Sequence, residues 1–122
     1  MYRRQIDPEL QMTLPILPPI VPIRRKPRMT ISEQFEAFHA ANPHVYQALR
    51  EMAFELARGG QKRIGIKMLW EVLRWRGLRS GIARGESDYG LDNRLTSRYA
   101  RLLAEREPEL APLIEMRELK AK

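Results

Sequence analysis

Apolar residues recur at helical spacing in four stretches of the chain. Thr30-Ile31-Ser32-Glu33 has capping-box spacing, in which the threonine oxygen accepts from the backbone at Glu33 and the glutamate reaches back. A helix is predicted to start there, with Ile31, Phe35 and Phe38 on its apolar side. Asn42-Pro43 stops that helix and offers an N-cap and a first-turn proline to the next. In the second helix Val45, Leu49, Met52 and Leu56 form one stripe that ends at Gly59-Gly60. The third is predicted over about Lys62 to Trp75, with Ile64, Met68, Val72 and Trp75 inward and Leu69 and Trp70 flanking them. Residues 77–90 hold Gly77, Gly81, Gly85 and Gly90, which reads as a flexible loop or a short irregular hairpin. A fourth helix is expected from about Asp92 to Arg106, with Leu91, Leu95, Tyr99, Leu102 and Leu103 inward. After Pro108, short turns are expected to close the core through Leu110, Leu113, Ile114 and Met116.

Residues 1–29 follow a different rule. Pro8, Pro15, Pro18, Pro19, Pro22 and Pro27 remove backbone donors and push the residues before them toward extended conformations. The reading is therefore an extended, basic, proline-rich arm over 1–29 and an all-α, small four-helix domain over 30–122. Leu14, Ile16, Leu17, Ile20, Val21 and Ile23 are too apolar for a spacer. They are expected to lie on the domain, on another copy, or in a partner's groove.

Composition narrows the function classes. At 122 residues there is room for one domain with a tail. A charged fraction of 30% points to a thin core under a heavily solvated surface. The absence of cysteine excludes disulfides and thiolate metal sites. The stretch from Leu14 to Ile23 is broken by prolines and is half the roughly 20 residues a membrane helix needs, so no membrane association is expected. Nor does it read as a signal peptide, since an Arg-Arg-Lys run follows it. The net charge of +7 is unevenly placed: the arm carries +4, residues 30–57 carry −3, residues 58–101 carry +7 and residues 102–122 carry −1.

No phosphate-binding glycine loop, serine elbow or paired-carboxylate motif is present. His39 and His44 have no companions that would complete a metal site and read as hinge or surface residues. No catalytic residues, metal or cofactor are expected, and the protein reads as a binder.

Two versions of a nucleic-acid surface are open. In one, Gly59-Gly60 is the turn of a helix-turn-helix, which exposes Lys62, Arg63 and Lys67 at the start of helix three. Arg74 lies on that helix's outer face, and Arg79 and Arg84 belong to a wing over residues 77–90. In the other, helix four reads through Asn93, Arg94, Ser97, Arg98 and Arg101, residue types that bond to bases and phosphates. Trp70, Trp75, Tyr89 and Tyr99 are candidates for stacking on bases, with Trp75 and Tyr99 better explained as core. The alternative is a protein-binding inhibitor anchored by the arm through Ile16, Leu17, Ile20, Ile23, Arg24 and Arg25, and a homo-oligomer assembled through the same arm is also expected.

Residues 35–119 resemble a group of small phage and prophage proteins of unassigned function. The resemblance lies in Phe38-His39-Ala40-Ala41-Asn42-Pro43, in Ile66 through Glu71-Val72-Leu73-Arg74-Trp75, and in Leu91-Asp92-Asn93-Arg94 through Ser97-Arg98-Tyr99-Ala100-Arg101-Leu102-Leu103. Pro108-Glu109-Leu110 and Met116-Arg117-Glu118-Leu119 complete it, while the 77–90 segment departs from it in its glycine and arginine content. It implies a phage context: a cytoplasmic protein of the host cell that regulates expression or disables a host system. DNA ahead of RNA is the expected partner, with a host protein as the alternative.

Overall fold

The computed structural model describes residues 16–82 and 84–116. The features read at Pro8, Leu14, Pro15 and Arg117 to Leu119 lie outside the described residues. Among the described residues four α-helices, α1 (Ile31–Ala41), α2 (Pro43–Arg58), α3 (Ile66–Ile82) and α4 (Thr96–Arg106), make an all-α domain, with a 3₁₀ turn at Asn93–Leu95 leading into α4.

The capping box forms as its spacing dictates. Glu33 N–H donates to Thr30 Oγ1 at 3.1 Å, and Thr30 N–H donates to Glu33 Oε1 at 3.0 Å. Asn42 ends α1, its N–H donating to Phe38 O, and Pro43 opens α2. Its side chain makes no capping bond to α2. Gly60, at φ 90°, turns the chain out of α2 in the left-handed conformation that glycine adopts without strain. The chain then makes a single parallel bridge between Ile64 and Ile114. Ile64 N–H donates to Leu113 O at 2.7 Å and Glu115 N–H to Ile64 O at 2.9 Å, so the C-terminal turn is tied to the segment that starts α3. Leu110 and Ile114 are buried as expected, whereas Met116 is exposed.

The third helix differs from its prediction in length and in rotation. It starts at Ile66 rather than Lys62 and runs to Ile82, so Gly77 and Gly81 are helical and the expected loop over 77–90 is reduced to the stretch after Ile82. Its buried face is Ile66, Leu69, Trp70, Leu73, Gly77 and Gly81. Met68, Val72 and Trp75, expected inward, face outward. The helix is apolar on both sides, and the glycines decide between them. A Cβ on Gly77 would stand 2.1 Å from the Tyr89 ring, and one on Gly81 would stand 2.7 Å from Glu86 Oε1. The side with glycines lets the returning chain approach closely, and that side is buried.

Trp70 and Tyr99 lie at the centre, with ring centroids 5.5 Å apart. Phe35 and Phe38 meet Tyr99 edge to face, at 4.8 and 6.5 Å. Of the four aromatics considered for base stacking, Trp70, Tyr89 and Tyr99 are buried in this core, and Trp75 is exposed.

Candidate nucleic-acid interface

The connection between α2 and α3 spans the seven residues 59–65 and includes the Ile64 bridge. A helix-turn-helix joins its helices by three or four residues, so this pair is not one. The wing is likewise absent from its expected place, because its first half is α3 and Arg84 folds back onto Glu86 at 2.8 Å.

What the fold does instead is bring Lys67 of one candidate set and Ser97 of the other to one groove. Gly65, Ile66 and Lys67 at the start of α3, Thr96, Ser97 and Ala100 on α4, and Glu115 and Met116 line one open groove of about 260 Å³. Arg63 stands at the rim, 3.4 Å from Glu115. Arg101 follows Ala100 on the exposed side of α4, and Lys62 is exposed just before Arg63. The lining residues Ile66 and Lys67 belong to the first turn of α3, whose amides lack intrahelical partners, and such amides favour anions. Arg63 offsets the charge of Glu115, the one carboxylate among the described residues that line the groove. Lys62, Lys67 and Arg101 have no carboxylate partner among the described residues.

The remaining candidates are engaged within the molecule. Arg94 bonds both oxygens of Asp92, at 2.7 to 3.1 Å, and Gln34 Oε1 at 3.0 Å. The guanidinium holds the Asp92 carboxyl below the usual carboxylate range. Arg98 donates to Ser32 Oγ at 3.3 Å, linking α4 to α1. Arg74 pairs with Glu71 and donates to Leu91 O and to Asn93 Oδ1, so Asn93 stays exposed with its amide oxygen engaged. The Arg79 guanidinium lies over the Trp75 ring, 5.3 Å from its centroid.

The arm's apolar anchors are also engaged. Leu17 is buried in the core, and Ile20 and Ile23 pack against it. Leu17 N–H donates to Ser80 Oγ at 3.1 Å, and Arg25 reaches Asp92 at 3.5 Å. Ile16 and Arg24 remain exposed. Tyr89 donates its hydroxyl proton to Pro18 O at 2.6 Å, so His44 Nε2, 3.1 Å from the same oxygen, must be the donor to it. His39 and His44 are thus half-buried packing residues rather than surface ones. Burial lowers both below the ordinary imidazole value, with Arg106 adding to the effect at His39. The residue that sequence reasoning missed is Asn42, which it treated as a helix boundary. Its side chain is fully buried and grips Val21 of the arm.

Comparison with family models, curated proteins and solved structures finds no match for this chain. Among the described residues no helix is long and apolar enough to cross a membrane.

Proposed function

We propose that the protein binds nucleic acid, DNA ahead of RNA, as a small phage-type regulator acting in the cytoplasm of the host cell. The observation that supports this is the groove at the start of α3, which Lys67 and Ser97 line and whose Glu115 is paired with Arg63; the exposed Lys62 and Arg101 adjoin Arg63 and the lining residue Ala100 in sequence, and Lys62, Lys67 and Arg101 have no carboxylate partners among the described residues. Lysines, a hydroxyl and helix-start amides favour phosphate oxygens over base edges. Binding is therefore expected to be dominated by the backbone of the nucleic acid, with weak sequence preference and a steep dependence on salt. The arginines best suited to guanine, Arg94 and Arg98, bond to Asp92, Gln34 and Ser32. Base reading through them would require those bonds to open.

The test is fluorescence anisotropy with duplex and single-stranded oligonucleotides across a salt series, on the wild-type chain and on Lys62→Ala/Lys67→Ala/Arg101→Ala. The triple variant should fold normally and bind more weakly with a shallower salt slope. A complex recovered from lysate that survives nuclease, with no oligonucleotide binding at low salt, would instead identify a protein-binding inhibitor.

A further inference from the structure

The outward face of α3 carries Met68, Val72, Trp75, Arg79 and Ile82, separated by 4, 3, 4 and 3 residues. That is the alternation of the two apolar positions of a heptad, the seam along which one helix meets another. The apolar members are 52%, 41%, 58% and 71% exposed, and the opposite face of the helix is buried in the domain's own core. Isolated exposed apolar residues are ordinary, but four of them on one face along four turns of one helix, with only Arg79 between, are not.

We propose that this face is the contact with a second copy of the chain, the two α3 helices lying antiparallel about a two-fold axis between Val72 and Trp75. Both the spacing and the charges of the face fit a copy of itself. In that register Trp75 stands across from Val72 of the second copy, and Arg79 stands across from Met68, over which its stem can lie. The Arg79 guanidinium, which lies over Trp75 of its own chain, then falls within a turn of Glu71 of the second copy; Glu71 pairs with Arg74 of its own chain, but its side chain is 56% exposed and open to a second cation. The two-fold axis generates this ion pair twice. Parallel pairing in register would instead set Arg79 against Arg79 at the centre of the seam. A contact limited to one 17-residue helix, about 25 Å long, sits at the small end of specific interfaces. The dimer should dissociate at roughly micromolar concentration.

Sedimentation equilibrium of the full chain over about 1 to 300 µM tests this around that expected dissociation range. The mass should rise from 14.3 kDa toward twice that value. Val72→Glu, at an exposed position, should leave the circular dichroism spectrum unchanged and abolish the rise. Arg79→Glu should weaken dimerisation about tenfold, and Glu71→Arg/Arg79→Glu should restore it, because the pair is exchanged across the axis. A chain that stays monomeric throughout, or a dimer indifferent to Val72→Glu, overturns the proposal. Failure of the exchanged pair to restore the dimer overturns the antiparallel register.

Discussion

Asn42 holds Val21 by both of its backbone groups. The amide Oδ1 accepts from Val21 N–H at 2.7 Å, and Nδ2 donates to Val21 O at 2.9 Å while also reaching Phe38 O at 3.1 Å. One fully buried side chain thereby pairs the arm as a neighbouring strand would, at the junction of α1 and α2. Asn42→Ala would take partners from the part-buried backbone groups of Val21 and from the buried Phe38 O. The expected cost is roughly 2 to 3 kcal/mol, read from the midpoint of urea unfolding. The arm should also loosen, so trypsin should cut at Arg24 and Arg25 faster in the variant than in the wild type. Unchanged stability and cleavage would show that the clasp does not hold the arm.

Gly77 is required for packing rather than for flexibility. The Tyr89 ring occupies the space a Cβ would need, and Tyr89 is itself fixed by Pro18 and His44. Gly77→Ala gains helix propensity but must displace that ring, so a net loss of about 1 to 3 kcal/mol is expected. Thermal unfolding of the variant checks it, and a gain in stability would mean that Tyr89 moves freely.

Stability should fall as the solution is acidified from about pH 7.5 to 5, because burial lowers both His39 and His44 below the ordinary value of about 6.5. The unfolded chain takes up protons as the pH drops through that value, and the folded chain takes them up only lower. The stabilising difference is complete above the unfolded value and is lost on descending toward the folded ones. His44→Gln, which keeps a donor toward Tyr89, should flatten this dependence. Melting temperatures of the two proteins across the range decide it, and identical slopes would contradict it.

How much was legible in the sequence depended on whether one signal competed with another. The capping box at Thr30 and Glu33, and the stripe Val45, Leu49 and Met52, each had a single interpretation, and the structure follows both. Helix α3 had two apolar stripes, and periodicity alone favoured the wrong one. The deciding contact, Tyr89 on Gly77, is a long-range packing event that a local pattern does not contain. For the same reason glycines that signal a loop when read locally were placed in a helix. The candidate site was legible as residue types but not as a grouping. Arg63 and Lys67 were read as rivals of Ser97 and Arg101, whereas the packing of α3 on α4 puts Lys67 and Ser97 in the lining of one groove, with Arg63 paired to its Glu115. The arginine stripe of α4 was visible too, but Asp92, Gln34 and Ser32, which engage Arg94 and Arg98, come from a turn and from another helix.

The groove's role in binding a polyanion is tested most directly by the salt slope of duplex binding, measured for the wild-type chain and for Lys67→Ala/Arg101→Ala. Each phosphate contact contributes about 0.9 to the slope of log affinity against log salt on B-form DNA, so the double variant should lose between about 1 and 2 from it. Weaker affinity with that shallower slope is the predicted result; no duplex binding by the wild type at low salt, or a slope unchanged by the double substitution, would contradict it.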